Sequence, residues 1–305
     1  MKRRTFLKSA SLTGGGILFS FYLPLNAETS QKLLEFVDPN AYLKIDQNSE
    51  ITFRMTDPEL GQGIYTGLAM IIAEELGVDL QAIKVERVTY SNTNKHLYKN
   101  FDGVGGSTTT LQLWNPLRKA LAKVRALFIL AAAQRWKLSP TSCILKERKV
   151  IHSKSQRSLP LGSLLNDVSA IKTSLVDKAQ PKAAEEYQII GQHQPSLRNK
   201  DIVQGKENYT IDLKLPKMHY AVIARCPVTD GKVVSFDDTE AKKIKGVKQV
   251  FAIESQPYDP LWTDDWREFY AGVQSGVAVV ADCTWAALKG RQALKIEWDF
   301  GKKTN

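Results

Sequence analysis

The feature that most constrains this chain is a device used twice: a strand pattern, a glycine-rich turn, then an amphipathic helix. Residues 41–46 and 51–56 read as strands joined by the turn-rich Gln47-Asn48-Ser49. After Gly61-Gln62-Gly63, the apolar residues Ile64, Leu68, Ile71, Ile72 and Leu76 recur at helical spacing. Gly77 is placed to end that helix in a left-handed conformation. Residues 83–89 then alternate as a strand. The second glycine cluster, DGVGGSTTT over residues 102–110, opens a helix in which Leu117, Leu121, Val124, Phe128 and Ala131 step by four and three. A glycine turn running into a helix leaves backbone N–H groups without partners at a positive dipole end, where anionic groups such as phosphates bind. Gln62 adds an amide that donates and accepts, and Ser107 and Thr108 add hydroxyls that can also cap the helix. The same glycines serve equally well as turns alone, and at this level both readings stand.

The remainder divides by texture. Residues 139–150 read as short strands and 161–170 as a helix; the polar stretch 171–186, with Pro181, reads as a linker. From residue 187 the pattern changes to strands at 219–226, 231–236, 247–253 and 277–281, with short helices at 239–245 and 284–293. The expectation is an α+β protein with one domain over 40–170 and a second over 187–305, each of ordinary domain size. The net charge of +10 does not mark a nucleic-acid binder. Lys2, Arg3, Arg4 and Lys8 supply four of those charges, and the rest are scattered among acids rather than gathered into a stripe with stacking aromatics. Cys143, Cys226 and Cys283 lie far apart without metal-ligand spacing, so buried thiols are expected.

Residues 1–27 have a basic start, a modest apolar run and a small residue at the end, the layout of an export signal. Arg3-Arg4 followed by Phe6, Leu7 and Lys8 resembles a twin-arginine signal. Its apolar part is about nine residues, far short of the roughly twenty a spanning helix needs. Cleavage after Ala27 and export to the periplasm are expected; membrane association is allowed but not required.

Conventional catalytic sets are thin. His96, His152, His193 and His219 are isolated from one another, Glu74 reads as part of a solvated helix face, and no nucleophile elbow, Walker loop or zinc-protease motif occurs. Asp264-Asp265 between Trp262 and Trp266 reads as a loop. Chemistry by this chain would have to come largely from a cofactor.

Taken together, LGQGIYTGLAMIIAEELGVD (residues 60–79) and VGGSTTTLQLWNPLR (104–118) resemble the molybdenum-binding subunit of the xanthine dehydrogenase and aldehyde oxidase family, in the branch of the isoquinoline 1-oxidoreductase beta subunit. Residues 209–253 and 276–301 resemble that family's a/b hammerhead domain. The resemblance implies a partial molybdopterin-binding domain followed by a hammerhead domain, and a molybdenum hydroxylase that inserts a water-derived oxygen into a C–H bond of a heterocycle or aldehyde. It implies molybdopterin cytosine dinucleotide as cofactor, with 2Fe–2S clusters on a separate small iron–sulfur subunit. It assigns Gly61, Gln62 and Gly63 to the pterin and phosphate environment, and Gly106, Ser107 and Thr108 to the dinucleotide portion. The sequence departs from the family pattern at Leu111, where an arginine is common, and at Asn115, where an acidic residue is common.

The family's catalytic glutamate has no counterpart before Asn305, so no catalytic residue is assigned. The expectation is the N-terminal portion of such a large subunit, inactive alone and completed by a second chain or by sequence beyond. The alternatives are a truncated gene product and a non-catalytic exported protein that keeps only the cofactor-cradling turns.

Overall fold

The computed structural model describes residues 7–13, 15–21, 41–55, 58–87, 106–228, 231–255 and 274–301. Arg3-Arg4, the cleavage position at Ala27, His96 and the Trp262–Trp266 loop lie outside the described residues. The chain is a mixed α+β protein that divides into two compact units, Met1–Glu207 and Asn208–Asn305.

The first unit is built on a five-stranded sheet in simple order: β1 (Leu7–Thr13), β2 (Gly16–Phe21), β3 (Ala41–Asp46), β4 (Ile51–Met55) and β5 (Ile83–Arg87). β1 to β4 pair antiparallel, whereas β5 runs parallel to β4. A parallel neighbour requires a crossover, and α1 (Ile64–Leu76) supplies it. Helix α2 (Thr109–Trp136) packs against α1. Next come the antiparallel strands β6 (Cys143–Lys146), β7 (Lys149–His152) and β8 (Ser158–Pro160), and the short helices α3 (Leu165–Ala170) and α4 (Asn199–Val203). The alternation in the strands sends Leu43, Ile45, Ile51 and Phe53 into the core, where they join Leu68, Ile72 and Leu76 of α1 and the expected stripe Leu117, Leu121, Val124, Phe128 and Ala131 of α2. Gly77 closes α1 in the left-handed conformation, as its position in the sequence predicts.

Two features differ from expectation. Residues 7–13 and 16–21, inside the segment read as an export signal, form two strands of the core sheet. Ile17 and Phe19 are fully buried, and the Phe19 ring meets Phe128 of α2 at 6.0 Å. Gly16 is required there: a Cβ would lie 2.8 Å from the Ile45 carbonyl oxygen.

The second difference is the boundary. The first unit runs to Glu207 because two buried carboxylates hold the segment read as a linker. Glu75, with no exposed surface, accepts from Arg118 Nε (3.0 Å), Arg125 Nη1 (2.7 Å) and the Lys182 backbone N–H (3.1 Å). Glu74 accepts from the N–H groups of Gln188, Ile189 and Ile190 at 2.9, 2.7 and 3.2 Å, and pairs with Lys182 Nζ. Glu74 is therefore buried and not part of a solvated face. Helix periodicity misses this because the carboxylates find their partners far along the chain.

The second unit contains β9 (Tyr220–Arg225), β10 (Lys232–Asp237), α5 (Thr239–Lys242), β11 (Val247–Ile253), β12 (Gly276–Ala281), α6 (Thr284–Gln292) and β13 (Lys295–Asp299). This is the element order expected of it, with β13 added. β12 lies between β11 and β9 in one antiparallel sheet, and β10 pairs with β13 in another. Ala281, Ala286 and Ala287 let α6 approach the first of these sheets closely.

Candidate functional site

The turn before α1 is held by its own carboxylate. Gly61 (φ 101°) and Gly63 (φ 87°) take backbone conformations that side chains disfavour, and a Cβ at either would meet nothing within 4 Å. Conformation, not crowding, selects glycine here, and the space beside the turn is open. Glu59 folds back across it: one oxygen accepts from the N–H groups of Gly61 (2.8 Å) and Gly63 (2.9 Å), the other from Tyr65 (3.1 Å). Burial alone would raise the Glu59 carboxyl, but these three bonds together with the field of Arg198 outweigh it and hold the group below the ordinary glutamate range. Gln62 is likewise engaged locally: its side-chain oxygen accepts from the Leu60 N–H and its amide donates to the Pro58 carbonyl. The expectation that these N–H groups stand open to an external anion is therefore corrected.

The turn before α2 differs. Gly106 (φ 60°) and Ser107 (φ 55°) both take positive φ, the second without glycine's freedom. Thr108 is the N-cap, but its hydroxyl makes no capping bond, contrary to the reading that it would. The first turn of α2 carries no acidic residue, so its dipole meets no carboxylate of its own there.

The two turns come together. A cavity of about 390 Å³ is lined by Leu60, Gln62, Gly63 and Ile64 on one side and by Gly106, Ser107, Thr108, Thr109 and Thr110 on the other. Five of the six residues singled out from the sequence thus line one cavity; Gly61 belongs to the same turn without lining it. Reasoning from sequence missed Thr109 and Thr110, which extend the hydroxyl row, and Glu59. An acid two residues ahead of a glycine-rich helix start is the signal that was available for Glu59. Leu60 lines the cavity while remaining 74% exposed, and Leu111 on the first turn of α2 is 77% exposed.

Among the described residues no group of His, Cys, Asp and Glu is arranged to hold a metal ion. His152 is buried and hydrogen-bonds through Nδ1 to Ser155 Oγ at 2.7 Å, a structural role. Of the three free cysteines Cys143 is buried, Cys226 partly so and Cys283 exposed, so the expectation of buried thiols holds for the first alone.

The sequence profile of the molybdopterin cofactor-binding domain matches residues 7–210, which takes in both turns and begins within β1. Over 99% of its length the chain is 30% identical to the membrane-bound aldehyde dehydrogenase (pyrroloquinoline-quinone) of Gluconacetobacter polyoxogenes, covering 38% of that protein. Over 98% of its length it is 24% identical to the beta subunit of isoquinoline 1-oxidoreductase from Brevundimonas diminuta, covering 40% of it. Over 39% it is 27% identical to the carbon monoxide dehydrogenase large chain of Hydrogenophaga pseudoflava, covering 17%. The chain thus spans about two fifths of the length of the first two relatives.

Proposed function

This chain belongs to the molybdopterin cofactor-binding domain family, and on that premise we propose that it forms one wall of the cofactor site in the large subunit of a molybdenum hydroxylase. The observation that carries the proposal is the convergence on one cavity of two glycine-rich helix starts, both inside the matched segment. The residues fit such a group. Open space stands beside Gly63, where a side chain would intrude, and the row Ser107 to Thr110 offers hydroxyls and N–H groups at a helix start without a carboxylate in its first turn.

In this reading Gln62, Gly63 and the adjoining Gly61 flank the pterin. Gly106, Ser107 and Thr108 receive the phosphates and nucleotide of a cytosine dinucleotide form. When bound, the cofactor supplies the redox chemistry that transfers a water-derived oxygen to a heterocycle or aldehyde C–H bond. This chain's own part is to bind and orient it; we assign it no catalytic residue. A small subunit carrying 2Fe–2S clusters takes the electrons, and the remaining three fifths of the relatives' length corresponds to the opposite wall. Arg3-Arg4 supports export through the twin-arginine pathway, which carries folded, cofactor-loaded proteins, to the periplasm.

The test is cofactor analysis of the assembled protein isolated from its native host. Stoichiometric molybdenum, with release of a pterin and cytosine nucleotide on acid treatment, is the expected result. A folded assembly free of molybdenum overturns the proposal in favour of a non-catalytic binder, and a quinone in the extract would replace the cofactor class. Gly63→Val should reduce bound molybdenum, because a β-branched residue at φ 87° costs about 1–3 kcal/mol and fills the open space beside the turn.

A further inference from the structure

We propose that Glu59 is a built-in anion that permanently fills the N–H nest at the start of α1, positioning the turn and closing that end of the cavity to phosphate. Three donors that a glycine-rich helix start normally presents outward, those of Gly61, Gly63 and Tyr65, are satisfied by this one carboxylate at 2.8–3.1 Å. Both of its oxygens are used, so it is held as a bidentate ligand would be. Two of these bonds bridge the left-handed glycines, so the carboxylate also fixes the conformation in which Gly63 and Gln62 line the cavity.

The electrostatic consequence follows directly. A helix N-terminus carries roughly half a positive charge, and a full negative charge placed on it reverses the sign seen by an approaching ligand. Arg198 is a cation whose field reaches Glu59, and it is also paired with Glu207 at 2.6 Å, so it is shared between two carboxylates. The wall at α1 therefore repels phosphate and accepts an uncharged polar edge. The first turn of α2 carries no acidic residue. Glu59 thereby sets which part of a ligand can lie against the α1 side of the cavity. This inference goes beyond the identity of the cofactor and does not depend on it.

Backbone amide NMR of the intact protein, selectively labelled with 15N-glycine and 15N-tyrosine and titrated with inorganic phosphate, tests it. In the wild type the Gly61, Gly63 and Tyr65 resonances should stay in place. In Glu59→Ala they should move with added phosphate, with an apparent affinity at least about tenfold above any seen for the wild type, the effect of removing an opposing charge at a helix end. Equal phosphate response of these amides in both proteins overturns the proposal. A second measurement needs no variant: on acidification the same three amides of the wild type should shift together as one carboxylate titrates below the ordinary glutamate range. Absence of that common titration also overturns it. Both readouts use protein without cofactor, so failure here is distinct from failure to find molybdenum.

Discussion

Glu75 receives two arginines and a backbone N–H with no water-accessible surface of its own. Removing one partner of such a cluster strands the others, and Glu75→Gln should cost about 3–5 kcal/mol in urea unfolding. Its neighbour gives a pH signature. Burial would raise the Glu74 carboxyl, but the N–H groups of Ile189, Gln188 and Ile190 and the charge of Lys182 win and hold it low. A carboxyl depressed in the folded state contributes stability that is fully present above its unfolded pKa, roughly 4.3, and is lost as pH falls through the folded value. Unfolding measured from pH 6 to pH 3 should therefore show a decline on acidification that is shallower in Glu74→Gln. Neither role was legible in the sequence. Adjacent acids on a helix pattern normally mark the solvent face, and the groups that reverse this lie 43 to 116 residues downstream. The glycines at 61, 63 and 106 were legible, because turns that need positive φ leave a residue-type signature.

Among the elements, those whose period reports their burial were read closely. β4, α1 and α2 fall where apolar spacing placed them, since one face of each meets the core. The β1–β2 hairpin was not read, because a basic start, an apolar run and small residues satisfy an export signal and a buried strand equally. The structure and the family match from residue 7 bear on the same point: residues 16–21 behave as a core strand, with all six paired to β3. Phe19→Ala should destabilise the first unit by about 3–5 kcal/mol, the usual result of deleting a buried aromatic ring. Deleting residues 1–27 should do more, because it also leaves the β3 edge unpaired. Hydrogen exchange at β3 checks this independently of expression yield: protection there should fall in Phe19→Ala more than in α6 of the second unit. Unchanged exchange would mean that β2 contributes little to the sheet.

At the scale of the whole molecule, two units meet in sequence at Glu207/Asn208, beside exposed Val203 and Tyr209. Limited proteolysis should cut first between residues 203 and 209 and leave two protease-resistant fragments; a first cut at 171–186 would contradict the clamp formed by Glu74 and Glu75. Composition placed this boundary at the polar stretch 171–186, which is in fact tethered to α1 through Lys182. The hairpin has a further consequence for how such a chain is handled in the cell. The segment that completes the sheet is also the one that carries the twin-arginine layout. Leu7 and Lys8 of that layout lie within β1 of the sheet. An open strand edge is a template for other chains, so the pairing of Gly16–Phe21 with Ala41–Asp46 also guards the sheet against edge-to-edge association.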